Sequence, residues 1–320
     1  MKIYFAPMEG ITYPEFRIVH NKYFPEADAY FAPFLAPGNS NCFKEAYLKK
    51  KLPDIEHGIK LIPQLLANSS APFTETQKTL MGIGYDEVNL NVGCPSGTVF
   101  AKYKGSGMLR DLDTFKLFLD GVFANNPSKI SVKTRMGVSS TSEFDEILSI
   151  YNDYQMTELI VHARDRNGMY DSTPDLDKFI EIYNKSQNTL VYNGDIFSPA
   201  SLHNITNEIP DISGVMVGRG ALANPALIRI LKGGEELKLS EFKDYHDELF
   251  DVYLDAGLAP RFAAERMKSL WAYMNVLFKE NNKALKYLRK SKDKQGYFDA
   301  VKMMYDLQFD GCAYFVKFEK

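Results

Sequence analysis

Lys129-Ile130-Ser131-Val132-Lys133-Thr134-Arg135 is the stretch on which the reading of the fold turns. Its β-branched residues predict a strand over 128–134. Period two puts Lys129, Ser131, Lys133 and Arg135 on one side and Ile130 and Val132 on the other. The strand thus ends in cations, so its C-terminal end opens on something polar. Working outward, similar runs are predicted as strands near 2–7, 29–34, 59–65, 86–92, 157–162, 188–192 and 212–217. Helical patterns fall between them near 14–23, 71–82, 112–124, 142–154, 174–185 and 198–208. Strand-helix units in series mean a parallel sheet, because parallel neighbours need crossover connections.

An open doubly wound sheet also uses such units, and the strand ends favour closure. Met8 and Glu9 follow the first strand, Gln64 ends the third and Asn91 the fourth. Lys133 and Arg135 end the fifth, and His162 and Arg164 the sixth. Asn193-Gly194-Asp195 follows the seventh and Gly218-Arg219-Gly220 the eighth. In a barrel these ends converge on one face, where barrel active sites lie. The fold class is therefore read as α/β, a (β/α)8 TIM barrel. Past 235 the strand signal fades, and 241–256, 260–278, 281–291 and 296–306 are predicted helical. Gly233-Gly234-Glu235-Glu236 marks the boundary between a barrel at 1–235 and a C-terminal helical domain at 240–320. The length of 320 residues suits a barrel of about 250 with such an appendage.

The net charge of −3 excludes a uniformly basic nucleic-acid binder, so any such surface is local. One local excess exists. From Lys279 to Lys294 there are seven basic residues against two acids. Lys279, Lys283, Lys286 and Lys290 recur at helical spacing and are expected on one face. An ordinary solvated face has the same pattern, but the excess stands out in an acidic chain. The cysteines, Cys42, Cys94 and Cys312, form no C-x-x-C pair and no even framework, which suits a reducing, cytoplasmic setting. The first residues run into a strand without a signal-peptide core, and no apolar run reaches the roughly 18 residues of a membrane span. No metal motif, P-loop or G-x-S-x-G elbow occurs.

Asn91-Val92-Gly93-Cys94-Pro95 opens a loop rich in glycine and lysine that runs to Gly107. A lone cysteine is usually an inert thiol. Over a barrel mouth, on such a loop, Cys94 can act as nucleophile or general acid. Lys133 is read as a fixed cation for negative charge at the site, against a plain solvated strand end. Gly218-Arg219-Gly220-Ala221-Leu222-Ala223 formally fits the dinucleotide fingerprint. It closes the strand series, however, and no strand follows to supply the acid. A phosphate cradle after the last strands fits better, with Arg219 as its cation. His162 alone would be an ordinary core histidine; Arg164, two residues on, favours a site.

These blocks together resemble the dihydrouridine synthases. Ala6-Pro7-Met8-Glu9-Gly10-Ile11-Thr12 with Phe16-Arg17 resembles their opening motif. Asn91-Val92-Gly93-Cys94-Pro95, with Gly105, Gly107 and Leu109, resembles their signature loop. Ser131 to Gly137, His162-Ala163-Arg164, Asn193-Gly194-Asp195-Ile196 and Met216 to Gly220 match the remaining blocks in order. The resemblance covers about 1–230. It implies reduction of the C5–C6 double bond of tRNA uridines with FMN and NADPH. It further implies that Pro7, Met8, Glu9 and Gln64 contact the flavin, with Lys133 and His162 beside its ring. Asn193, Gly194, Asp195, Gly218 and Arg219 would hold the ribityl phosphate. Hydride would pass from flavin N5 to uracil C6, and Cys94 would protonate C5 from the opposite face. Asn91 and Arg164 would meet the uracil edge, Lys102 and Lys104 the incoming strand, and Lys283, Lys286 and Lys290 the tRNA body. After His-x-Arg the family commonly has Thr, Gln and Tyr; here Asp165 and Gly168 depart and Tyr170 stays. Two other readings are an FMN barrel oxidoreductase on a free pyrimidine, like dihydroorotate dehydrogenase, and a tRNA-binding protein without chemistry. The basic C-terminal strip is unnecessary for the first, and Cys94 with the flavin set for the second.

Overall fold

The computed structural model describes residues 1–38, 43–124 and 128–314. Cys42 lies outside them. Nine short strands form one all-parallel sheet: β1 (Lys2–Phe5), β2 (Ala29–Phe31), β3 (Leu61–Ile62), β4 (Gln64–Leu65), β5 (Glu87–Val92), β6 (Lys129–Arg135), β7 (Leu159–His162), β8 (Leu190–Asn193) and β9 (Gly214–Val217). Their spatial order is β3-β2-β1-β9-β8-β7-β6-β5-β4. The two ends of this order are consecutive in the chain and flank Pro63. They are one predicted strand, interrupted where proline has no N–H to give a ladder. β3 pairs with β2 and β4 with β5, so the sheet closes into the expected eight-fold barrel.

Helices follow most strands, including Pro14–Tyr23, Ser70–Ile83, Leu112–Phe123, Phe144–Tyr151, Leu176–Tyr183 and Pro199–Glu208. Buried residues on Leu112–Phe123 are Phe115, Phe118, Leu119 and Val122, the i, i+3, i+4, i+7 stripe of an amphipathic helix. Asp111 caps it by accepting the Thr114 N–H at 3.0 Å. A helix at Glu45–Lys51 had no counterpart in the sequence reading.

Inside the barrel the two halves differ. Tyr4, Ala6, Ala29, Phe31, Ile62, Ile160, Val191 and Met216 form a buried apolar cluster from β1–β3 and β7–β9. The inward positions of β4–β6 are polar instead, namely Gln64, Asn89, Asn91, Ser131 and Lys133. The alternation seen in 129–135 therefore separates a polar interior from an apolar layer.

Two compact units divide the chain. The first comprises Met1–Pro7, Asp28–Gly194 and His203–Met216 and contains the barrel strands except Val217, the last residue of β9. The second comprises Met8–Ala27, Asp195–Leu202 and Val217–Lys320. Its C-terminal helices are Leu239–Asp255, Pro260–Met274, Asn282–Lys290 and Lys294–Tyr305. Trp271 is fully buried among them, its indole N–H donating to the Tyr297 hydroxyl at 3.0 Å, and that hydroxyl lies 2.7 Å from His246 Nε2. Burial pushes His246 below its ordinary range, against the opposing pull of the Asp247 carboxylate 2.7 Å from Nδ1. Among the described residues no helix is long and apolar enough to cross a membrane.

Candidate active site

Strand register builds the site in the first unit. Gln64 pairs across to Asn89, Asn89 to Ser131, and Asn91 to Lys133. Arg135 stands opposite His162, and His162 opposite Asn193. Parallel strands in this register bring the expected residues into adjoining layers at the C-terminal ends.

A chain of hydrogen bonds runs through the polar half. Asn89 Nδ2 donates to Ser131 Oγ at 3.0 Å, and Gln64 Nε2 donates to Asn89 Oδ1 at 2.8 Å. Asn91 Nδ2 donates to Gln64 Oε1 at 2.7 Å. Asn91 Oδ1 then accepts the backbone N–H groups of Gly93 and Cys94 at 3.0 and 2.9 Å. Gln64 and Asn89 are buried, so every amide in the chain must find a partner, and these do. The amide chain thus fixes the strand-to-loop turn that carries the thiol. Asn89 and Ser131 were not in the sequence-based set. Their signal was the alternation in Glu87-Val88-Asn89-Leu90-Asn91, which puts both asparagines on one face.

Beyond Cys94 the loop folds back on itself as two short helical turns, Gly97–Phe100 and Gly105–Arg110. The Ser106 hydroxyl donates to the Cys94 carbonyl at 2.8 Å. Gly105 has a left-handed backbone, and a Cβ there would stand 2.9 Å from Cys94 Cβ. Only glycine permits that approach. Cys94 is half-buried and not in a disulfide.

Lys133 Nζ donates to Asn193 Oδ1 at 2.9 Å, and Asn193 Nδ2 donates to the Met216 carbonyl at 2.8 Å. The amide is thereby oriented with its oxygen toward the lysine. Burial, and secondly the Arg135 charge, lower the Lys133 ammonium to about 7. Arg135 is buried and clamps three backbone carbonyls, of Gly93 (3.1 Å), Asp165 (2.8 Å) and Met169 (2.8 Å). Two loops are therefore tied to one guanidinium. Arg164 Nη1 lies 2.9 Å from His162 Nε2, and its Nε donates to the Ser172 carbonyl at 2.8 Å. The Asp165 and Gly168 departures make one turn, in which Asp165 Oδ1 accepts the Gly168 N–H. A Cβ on Gly168 would stand 2.3 Å from Ser172 Oγ.

Pro7, Lys102, Lys104 and Gly194 also belong to the first unit, and the second holds Met8, Glu9, Asp195, Gly218, Arg219, Lys283, Lys286 and Lys290. After Met8 the chain turns tightly, with Thr12 N–H on the Met8 carbonyl and Met8 N–H on Thr12 Oγ1. Arg17, 1% exposed, donates to the Thr12 carbonyl at 2.7 Å. The arginine of the opening motif is thus a staple for the Met8–Thr12 turn. Arg219 forms an ion pair with Asp195 in which both side chains are largely covered. The carboxylate orients the guanidinium. Gly220 allows close packing, since a Cβ would stand 2.5 Å from the Ile196 carbonyl.

The donors in the first unit suit a planar heterocycle edged with carbonyl oxygens and ring nitrogens. Lys133, the Gln64 and Asn91 amides and the His162–Arg164 pair offer N–H groups from strands β4–β7 and the turn after β7. A family model described as dihydrouridine synthase matches residues 4–301. A probable tRNA-dihydrouridine synthase of Rhodobacter capsulatus is 26% identical over 257 residues, 78% of each chain. One from Staphylococcus aureus is 28% identical over 263 residues, covering 78% of this chain and 77% of its own. A tRNA-dihydrouridine synthase B of Pasteurella multocida is 25% identical, over 72% of this chain and 69% of its own.

Proposed function

The chain belongs to the dihydrouridine synthase family, and on that premise we propose that it reduces the C5–C6 double bond of specific uridines in tRNA. The observation that carries the reading is the hydrogen-bonded chain from Ser131 to the Cys94 backbone, which fixes the turn that bears the thiol. Bound FMN would supply the hydride for C6, with NADPH as the reductant. Cys94 delivers the proton to C5, the role of a positioned general acid.

Gln64, Lys133 and His162 would hold the flavin ring, and Pro7, Met8 and Glu9 would contact it. Lys133, its ammonium lowered to about 7 by burial, would hold its proton where negative charge stands beside it. Asn193, Gly194, Asp195, Gly218 and Arg219 would hold the ribityl phosphate, with Asp195 paired to Arg219. Arg164 and the remaining Asn91 N–H meet the uracil edge. Residues 1–235 form the catalytic domain, in the cytoplasm, and 240–320 engage tRNA through Lys283, Lys286 and Lys290. Lys102 and Lys104 contact the strand entering the site.

The test is a map of dihydrouridine in tRNA from cells with and without this protein. One or more positions lose the modification when it is absent. An unchanged map would overturn the reading. Purified protein reconstituted with FMN should also hold flavin, and Arg219→Glu should weaken retention by about 1.5–3 kcal/mol, the worth of a charge-assisted contact.

A further inference from the structure

Between Phe100 and Arg110 the loop carries three cations, Lys102, Lys104 and Arg110, and no acid. Two aromatic rings stand among them. The Arg110 guanidinium lies 3.8 Å from the Tyr103 ring centroid and 4.4 Å from that of Phe100. Arg166 lies over Phe100 at 4.3 Å. Arg110 is itself fixed, donating to the Phe100 carbonyl at 3.0 Å and the Gly107 carbonyl at 3.3 Å. The contacts run in series, Arg166 to Phe100 to Arg110 to Tyr103, and each ring has a guanidinium over it.

Tyr103 ends the series and is 52% exposed. Its φ of 51° is left-handed, a conformation that bulky residues rarely adopt. The ring forms one wall of a cavity of about 230 Å³, with Asn68, Met108, Phe115 and Phe118 among the others. A tyrosine kept only for packing would be covered. This one is backed by a cation, held in an uncommon backbone conformation and left open to solvent. It also sits close to the chemistry. Gly105, two residues on, closes against Cys94, and Asn68 after β4 donates to the Lys102 carbonyl at 3.0 Å.

We propose that Tyr103 is a stacking platform for a nucleobase flanking the target uridine, with Lys102 and Lys104 on adjacent phosphates. The inference rests on the tRNA reading above and adds to it a residue that determines specificity. Drawing a uridine out of its stack uncovers the π-face of its neighbour. An exposed ring takes up that face, and the cation beneath Tyr103 polarises the ring without competing for it. Stacking reads no base identity, so the platform selects unstacked loops over paired stems. Arg166 belongs to the Asp165–Ser172 turn, where the chain departs from the family pattern, so that turn and the platform form one local design.

The test uses FMN-loaded full-length protein and unmodified tRNA transcripts. Tyr103→Phe, Tyr103→Trp and Tyr103→Leu are compared for tRNA affinity against salt, KM and kcat for dihydrouridine formation, and NADPH oxidation without tRNA. Tyr103→Phe and Tyr103→Trp keep near-normal affinity. Tyr103→Leu weakens binding and raises KM roughly tenfold, with NADPH oxidation intact. Its salt slope matches wild type, because a stacked base releases no counterion, whereas Lys102→Ala or Lys104→Ala lowers the slope. Wild-type affinity in Tyr103→Leu would overturn the platform. So would a Tyr103→Phe as weak as Tyr103→Leu, or a reduced salt slope in Tyr103→Leu. If wild-type protein forms no dihydrouridine and binds no tRNA, the tRNA reading itself falls, and the platform with it.

Discussion

The side-chain oxygen of Asn91 accepts the backbone N–H of Cys94 at 2.9 Å. That one bond connects the thiol's position to Gln64, Asn89 and Ser131 on three strands. A proton donor is only as good as its placement, and a misplacement of about 1 Å can cost about 10²-fold. Asn91→Ala should therefore lower uridine reduction by about that factor while NADPH still reduces the flavin. It should also cost about 1–3 kcal/mol in urea unfolding, because Gln64 Oε1 loses a buried donor. Equal loss in both half-reactions would show that Asn91 serves the flavin instead.

Cys94→Ala should reduce tRNA turnover by about 10²–10⁴, the usual worth of a positioned acid, and leave flavin binding and reduction intact. Cys312 is the control. Burial, and next the Glu236 carboxylate, push its thiol up to about 11, so it stays protonated and inert. Cys312→Ala should turn over at the wild-type rate. Single-turnover dihydrouridine formation on purified tRNA separates the two variants.

Lys133 gives a pH dependence whose sign follows from its burial. Its ammonium is lowered to about 7 in the fold, against about 10.4 unfolded. Below about pH 7 both states are charged and the folded protein bears the full cost of burying the charge. Between those values the unfolded chain binds more protons, so stability of the flavin-free protein rises with pH. Lys133→Met should remove this rise and be the more stable protein at about pH 6. Urea unfolding of the flavin-free forms at about pH 6 and about pH 9 checks both points. A parallel pH trend in the two proteins would mean that another group is responsible.

The Asp165–Gly168 turn should be intolerant of side chains. A Cβ on Gly168 would stand 2.3 Å from Ser172 Oγ and 3.1 Å from Ser172 Cβ. Ser172 supplies the carbonyl that Arg164 holds, so a shift there passes to Arg164. Gly168→Ala should destabilise by about 1–3 kcal/mol, as overpacking does, and raise KM for tRNA. Thermal melting with steady-state kinetics tests it. A variant with normal KM would separate the turn from substrate contact.

The barrel was legible because each strand announces itself locally and polar residues gather at the same end of seven of the eight. The break at Pro63 was not marked as a gap, though proline's missing N–H is the reason for it. The amide chain was half legible. Alternation aligns Asn89 with Asn91, but the pairings Gln64 to Asn89 and Asn89 to Ser131 depend on register between distant segments. Arg166 on Phe100 depends on how two loops meet, and no local period encodes that. Asp195 was grouped with the phosphate residues because it follows Asn193-Gly194; that its side chain pairs with Arg219 depends on how the two turns meet, which no local pattern encodes. Lys279 was placed on the helix with Lys283, Lys286 and Lys290. The helix begins at Asn282, after a left-handed Glu280, and Lys279 stands 3.9 Å from Asp310.

With Lys279 removed, the basic face is narrower but cleaner. On Asn282–Lys290 the buried positions are Ala284, Leu285 and Leu288, and Lys283, Lys286, Arg289 and Lys290 are exposed. Among the described residues, Lys283, Lys286 and Lys290 make no ion pair with an acid. Unpaired lysines on an acidic protein are costly only through mutual repulsion, and a polyanion relieves it. Each phosphate they neutralise should add about 0.7–0.9 to the slope of log affinity against log salt. Replacing Lys283, Lys286 and Lys290 with Glu should therefore weaken tRNA binding strongly at low salt and flatten that slope by about 2–3. NADPH oxidation by the flavoenzyme alone should not change, since the helix is assigned to RNA and not to the flavin. The measurement is tRNA affinity across a salt series for both proteins. If affinity and slope are those of wild type, the lysines are a solvated face only, and tRNA reaches Cys94 by another surface.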